Sequence, residues 1–190
     1  MEQLSSVLSL PLALLLVLGW YLSYSAGRLD RLHHRVESAR AALDTHLARR
    51  AAAAIEAAAV LDPASGLILA AAAAESLAEG LARDDGRPIV EEVENDLTRA
   101  LLDTLSDADQ VGRLRSTPLA ADLLDALAAG CTRAQLARRF HNDAVAQAQR
   151  VRRKRVVRWA RLAGRAQLPQ MVEIDDSIPP GLAQTESVPS

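Results

Sequence analysis

From Leu4 to Tyr24 the chain carries no Asp, Glu, Lys, Arg or His. The run is dominated by Leu, Val and Ala, and as a helix it spans about 31 Å, the hydrocarbon thickness of a bilayer. Pro11 falls inside it, as transmembrane helices tolerate. Trp20, Tyr21 and Tyr24 gather at its C-terminal end, where an interfacial aromatic belt belongs. A cleaved signal peptide fits less well. Only Met1, Glu2 and Gln3 precede the run, none of them basic, and Tyr24 occupies the −3 place of the one plausible cleavage site, after Ala26. A buried core helix is usually shorter and rarely so free of charge. Residues 1–26 therefore read as a single transmembrane anchor. Arg28, Arg31 and Arg35 follow it and no Lys or Arg comes before it. The positive-inside rule then places the N-terminus outside and the remainder in the cytoplasm.

Beyond the anchor the apolar residues keep helical time. Leu29, Leu32, Val36, Ala39, Leu43, His46, Arg50, Ala53, Ala57 and Val60 recur at spacings of three and four, and Leu47 widens the stripe. This predicts a helix continuous with the anchor until Asp62-Pro63, where proline and then Gly66 turn the chain. A second, alanine-rich helix is expected from Leu67 to about Arg83, and a third from about Ile89 to Leu105, with Glu91 and Glu92 in its first turn. Ser106 to Ser116, polar and punctuated by Gly112, reads as loop. Thr117-Pro118 opens a short helix that should end at Gly130. Thr132 with Gln135 forms a capping box for a last helix running to about Gly164. The fold class expected is all-α: an N-terminal transmembrane helix continuing into an antiparallel helical bundle, residues 27–168. The proline-bearing tail, residues 169–190, is expected to be extended or disordered. An all-β fold is excluded by 3% aromatic residues and the excess of Ala and Leu.

Charge is segregated along the chain. From Glu56 to Asp125 there are 15 acidic and 5 basic residues, and from Cys131 to Val172 there are 11 basic and one acidic. The dense part is Arg150, Arg152, Arg153, Lys154, Arg155, Arg158, Arg161 and Arg165, which wrap most faces of a helix. Three uses remain open for it. It can pair with the acidic middle of its own bundle, meet anionic lipid headgroups, or bind nucleic acid. For nucleic acid the stacking platform is thin, since Trp159 is the one aromatic residue in the cluster.

The search for catalysis finds little. His33 and His34 are neighbours on a helix and diverge, and His46 lies on the apolar seam. His141, Asn142 and Asp143 diverge likewise, and no Glu-x-x-His or His-x-x-x-His repeat occurs. There is no Gly-rich phosphate loop and no nucleophile elbow. Cys131, placed by this reading before a helix N-terminus, is set for a lowered pKa but has no base fixed beside it. One Cys also excludes an intrachain disulfide. The expectation is a non-enzyme with no cofactor, no metal site and no small-molecule substrate. Glu94, Asn95, Arg138 and Asn142, each flanked by apolar stripe positions, are expected to be structural contacts between helices.

The order of these features resembles the LemA family. The stripe Leu29, Leu32, Val36, Leu43, Leu47 leads to the pair Arg49-Arg50; Glu94-Asn95-Asp96-Leu97 follows, with Ala100, Leu101 and Leu105; and Ala137-Arg138-Arg139-Phe140-His141-Asn142-Asp143-Ala144-Val145 is similar to that family's Ala-Arg-x-x-Tyr-Asn-x-x-Val helix. The likeness covers about Leu4 to Leu168. It is a divergent one: Ala26-Gly27 stands where the family has Tyr-Asn after the anchor, and His141 replaces Tyr. The resemblance implies a single-pass bacterial membrane protein with a cytoplasmic helical bundle and no established catalytic activity. A count of 21 Arg against a single Lys agrees with a GC-rich bacterial genome. The function expected is thus a membrane-anchored scaffold or interaction module, with a protein partner or self-association. The alternative is an anionic-lipid binder acting through the Arg150–Arg165 helix.

Overall fold

The computed structural model describes residues 2–82, 89–153 and 168–183. Their regular structure is entirely α-helical: α1 (Glu2–Ala58), α2 (Pro63–Ala82), α3 (Glu91–Leu105), α4 (Ala108–Leu114) and α5 (Pro118–Arg152). The chain divides into two compact units that do not follow chain order. Unit 1 holds Met1–Ser38 with Asn142–Met171, and unit 2 holds Ala39–His141 with Val172–Ser190. The long helices α1 and α5 therefore each contribute to both.

Unit 2 is a helical bundle whose larger apolar cluster draws on every helix. Ala51, Ala54, Ala57 and Ala58 of α1 meet Leu69 and Ala73 of α2, Leu97, Leu101 and Leu105 of α3, Val111 of α4, and Leu124, Leu127 and Cys131 of α5. Alanine on α1 lets its neighbours approach closely. The turn out of α1 is made at residues 59–62, and Asp62 then caps α2 by accepting hydrogen bonds from the Ala64 and Ser65 amides at 3.2 and 3.1 Å. These bonds, with the Ser65 hydroxyl first among them, hold the Asp62 carboxyl below its ordinary pKa. Helix α2 thus starts at Pro63, a turn earlier than the apolar pattern indicated, because proline fits a first helical position once a cap precedes it. Gly66 is inside the helix and does not turn the chain: a Cβ there would lie 2.6 Å from the Ala58 carbonyl oxygen.

Two further boundaries differ from the sequence expectation. The stretch expected to be loop contains α4. Asp107 accepts from the Asp109 and Gln110 amides at 2.9 and 3.1 Å, and Val111 is driven into the core, so a cap and one apolar anchor outweigh Gly112. The break expected at Gly130 is absent, and α5 runs through it. Gly130 is buried against the α1 backbone, where a Cβ would sit 3.5 Å from the Arg50 Cα, so the glycine serves helix approach and not termination. Thr132 is no cap either; its hydroxyl donates to the Ala128 carbonyl one turn back at 3.0 Å.

Among the described residues one helix, α2, is long and apolar enough to cross a membrane by length and composition, with a mean hydropathy of 1.3. It lies mid-chain, and its Gly66, Leu69, Ala73 and Ser76 are buried within unit 2.

Unit 1 brings the stretch of α1 up to Ser38 together with the end of α5. Arg35 donates to the Gln147 side chain at 3.2 Å, and Ala144, Val145, Ala148 and Val151 are buried. Gln149 holds the carbonyl of Pro169 at 2.9 Å. Earlier in α1, Trp20 and Tyr24 stack one turn apart, with ring centroids 6.1 Å apart, and both are exposed, as are Leu16 and Val17.

Candidate functional site

A charged pair lies at the centre of unit 2. Arg50 is 2% exposed and Glu94 is 1% exposed, which for ionised side chains requires a full set of partners. Arg50 Nη2 donates to Glu94 Oε2 at 2.7 Å, and Ser76 donates to the other carboxylate oxygen at 3.0 Å. Arg50 Nη1 donates to the Thr98 hydroxyl at 3.2 Å, and that hydroxyl lies 2.7 Å from the Asp175 carbonyl, which accepts from it. One cluster therefore joins α1, α2, α3 and the C-terminal segment. Arg50 Nε is buried without a hydrogen-bond partner.

Residues 172–183 form a strap over this cluster, extended to Pro179 and closed by a turn in which the Leu182 amide donates to the Pro179 carbonyl at 2.9 Å. Burial alternates along it: Val172 and Ile174 are buried, Glu173 and Asp175 exposed, the two-residue period of an extended chain. Val172 and Ile174 fill a second apolar cluster with Leu43, Leu47, Ile89, Ala134 and Ala137. One face of α3 reads the strap's backbone at helical spacing. Glu91 accepts from the Glu173 amide and Asn95 from the Asp175 amide, both at 2.7 Å, while Thr98 donates to the Asp175 carbonyl. On the other side, α5 supplies Gln135 to the Asp176 carbonyl at 3.3 Å and Arg138 to the Asp176 carboxylate at 2.7 Å. Further along, Leu182 is buried in the main core, and a Cβ on Gly181 would meet the Leu105 carbonyl oxygen at 2.5 Å. Asp175 accepts from the Ser177 hydroxyl and amide, which hold its carboxyl below the ordinary value.

The residues singled out from the sequence fall as follows. Glu94, Asn95 and Arg138 are in these contacts; Asn142 is half-buried in unit 1. Cys131 lies within α5 and not before a helix start, and burial pushes its thiol up, with the Arg50 charge opposing; the lowered pKa expected for it is thereby corrected. His33 and His34 both reach Glu37, at 3.0 and 3.2 Å, on the exposed surface of α1. His46 is half-buried, and its Nδ1 has no hydrogen-bond partner. Among the described residues no group of three or more His, Cys, Asp or Glu is placed to hold a metal. Of the basic cluster, Arg150 and Arg153 are exposed and Arg152 is half-buried, whereas Lys154, Arg155, Arg158, Arg161 and Arg165 lie outside the described residues. Arg150 also lines, with Arg28, Leu32, Gln147 and Val151, a hollow of about 240 Å³ in unit 1. Within the acidic stretch Asp96 pairs with Arg99 and Asp125 with Arg115, while Glu94 pairs with Arg50 of α1.

Sequence reasoning missed Ser76, Thr98 and the strap. Arg50 on an apolar stripe and the alternation Val172-Glu173-Ile174-Asp175 were the signals for them. No family model, curated protein or solved structure matches the chain.

Proposed function

We propose that this chain is a membrane-anchored helical-bundle scaffold, a protein-interaction module of LemA-like type without catalytic activity. In this reading Leu4–Tyr24 spans the cell membrane of a bacterium once, and the bundle faces the cytoplasm. The observation that carries the scaffold role is the commitment of the buried ion pair. Arg50 and Glu94 direct their charges at each other, at Ser76 and at Thr98, and so tie four segments of one unit together. A charge pair built for chemistry instead faces a cleft that substrate can enter, whereas Arg50 and Glu94 are each 2% exposed or less. The exposure of Leu16, Val17, Trp20 and Tyr24 supports the anchor, since a single helix turning such residues outward is the pattern of a lipid-facing segment. Affinity capture of the tagged full chain from detergent-solubilised cells tests the role. A stoichiometric partner, or the chain itself in several copies, is expected; recovery as a lone monomer at every detergent ratio overturns it.

A second reading has its own observation. Arg28 of α1 and Arg150 of α5 line one hollow in unit 1, and Arg31, Arg35 and Arg153 are exposed in the same unit. Guanidinium groups gathered after an aromatic belt suit anionic lipid headgroups. If so, the purified chain with Arg28→Gln and Arg150→Gln retains less acidic lipid than the parent. Equal retention removes this reading.

A further inference from the structure

The hollow of unit 1 has cationic groups from two helices and nothing negative to meet them. Arg28 and Leu32 of α1 and Gln147, Arg150 and Val151 of α5 line its volume of about 240 Å³. Val151 is buried, Leu32 and Gln147 are half-buried, and both arginines are exposed. Among the described residues no carboxylate lies within ion-pair distance of Arg28, Arg31, Arg35 or Arg150. The carboxylates of the same stretch of α1 are engaged by histidine instead, Glu37 by His33 and His34, and Asp30 by His34. Two guanidinium groups lining one hollow repel each other until an anion enters between them.

The donors that face such an anion are available. Arg150 uses its Nε on the Ala146 carbonyl at 3.3 Å, which leaves both Nη groups to bind. Arg35 donates to Gln147 Oε1 at 3.2 Å, which fixes that amide and leaves its Nε2 hydrogens to donate. We propose that the hollow binds the headgroup of one anionic phospholipid, with the phosphate held between Arg28 and Arg150 and a headgroup hydroxyl oxygen accepting from Gln147. Guanidinium forks match phosphate oxygens in pairs, and a neutral amide adds a donor without a third charge.

Three features favour a lipid over a free phosphate. Leu32 and Val151 give the hollow an apolar side, which suits the glycerol and the first methylenes of a lipid and gives a hydrated phosphate nothing. Arg28 follows the exposed Tyr24 by four residues, about 6 Å along the helix axis, and a headgroup layer is roughly 5–8 Å deep. The volume also falls below the roughly 300–1,000 Å³ of clefts that enclose a whole small molecule, so a headgroup fits while its acyl chains stay outside. The inference rests on the lipid reading of unit 1, to which it adds a stoichiometry, a headgroup chemistry and a residue that selects it.

Native mass spectrometry of the full chain in neutral detergent tests this, with lipid titrated in and the bound copies counted. One dioleoylphosphatidylglycerol per chain is expected to bind about tenfold more tightly than any later copy and than dioleoylphosphatidylcholine. Arg28→Gln and Arg150→Gln should each weaken that first copy about tenfold, whereas Arg113→Gln, exposed in unit 2, should leave it unchanged. Dioleoylphosphatidylmethanol has the same charge and no headgroup hydroxyl. It should bind several-fold more weakly than phosphatidylglycerol, and Gln147→Leu should erase the difference. Arg35→Leu, outside the hollow, should reduce the same preference because the amide loses its anchor. Lipid copies added at random, or an Arg113→Gln effect as large as the others, overturn the proposal. Displacement of the lipid by equimolar glycerol 3-phosphate or inorganic phosphate shows a site for soluble phosphate and overturns the lipid assignment. If both anionic lipids bind equally and both hollow arginines matter, the lipid reading stands and the headgroup assignment falls; if neither arginine matters, both fall. Should circular dichroism show that a variant has lost helix, the lipid and phosphate series on the parent chain decides alone.

Discussion

The two units differ in the polar groups they bury: Arg50, Ser76, Glu94, Thr98, Thr104 and His141 are buried in unit 2, and among the described residues of unit 1 no polar side chain is. In unit 2 a charged pair is buried and the apolar residues of five helices enclose it, with Leu97, Leu101 and Leu127 fully shielded. In unit 1 the large apolar residues Leu16, Val17 and Trp20 are more than 60% exposed, and Arg28, Arg31 and Arg35 follow them on the same helix. Burial of Leu and Ala stabilises unit 2 through removal of apolar surface from water, whereas the exposed Leu16, Val17 and Trp20 of α1 gain nothing of that kind.

Removing one charge from the centre of unit 2 should disturb this contrast most. Glu94→Ala leaves Arg50 buried without its counter-ion and is expected to cost about 3–5 kcal/mol in urea unfolding. Replacing both partners, Arg50→Met with Glu94→Leu, should restore most of that loss, because the desolvation penalty leaves with the charges. A small effect of Glu94→Ala would mean that water reaches the pair and that the interior is not closed.

The end of the strap gives a smaller effect. Gly181→Val drives side-chain atoms toward the Leu105 carbonyl and Val111, and overpacking of this kind costs about 1–3 kcal/mol. The thermal midpoint should fall, and proteolysis should reach the strap before the helices. Unchanged cleavage order would show that residues 172–183 melt together with the bundle.

Unit 1 should answer differently. Trp20→Ala, at a site 70% exposed, is expected to shift the unfolding of the bundle by less than about 0.5 kcal/mol while weakening partition into vesicles. A larger loss of bundle stability would undo the contrast between the units.

The smallest effect concerns acid. Hydrogen bonds from Ser177 hold the Asp175 carboxyl below 3.8, so its contribution is complete above that ordinary value and is lost as pH falls through the lower folded one. Release of the Asp175–Ser177 turn, followed by amide exchange at Ser177, should begin only below about pH 4 and should lose that dependence in Asp175→Asn. Release that grows toward alkaline pH would contradict the assignment.

Much of the helical plan was legible in the chain. Of the three–four stripe from Leu43 to Ala57, Leu43, Leu47, Arg50 and Ala57 are buried and His46 and Ala53 half-buried, while Ala51 and Ala54, outside it, are buried too; Thr117-Pro118 does open α5, with the Ala120 amide 3.4 Å from the Thr117 hydroxyl. What escaped were positions where tertiary contact overrules a local signal. Gly130 looked like a stop because glycine commonly ends helices, yet the Arg50 backbone lies against it. Asp107 capping and Val111 burial made a helix of seven residues from a polar stretch. Asn95 and Arg138 were legible as interhelical contacts from their flanks, but their partners were not. Asp175 and Asp176 lie about 40 to 80 residues away along the chain, and no spacing rule links an extended strap to the helix that reads it.

Whether one helix anchors this bundle in a membrane is decided by terminal mass spectrometry of the alkaline-extracted membrane pellet. The intact chain is expected in the pellet, with Leu4–Tyr24 still attached. A mature chain beginning near Gly27, recovered in the soluble fraction, would contradict the anchor.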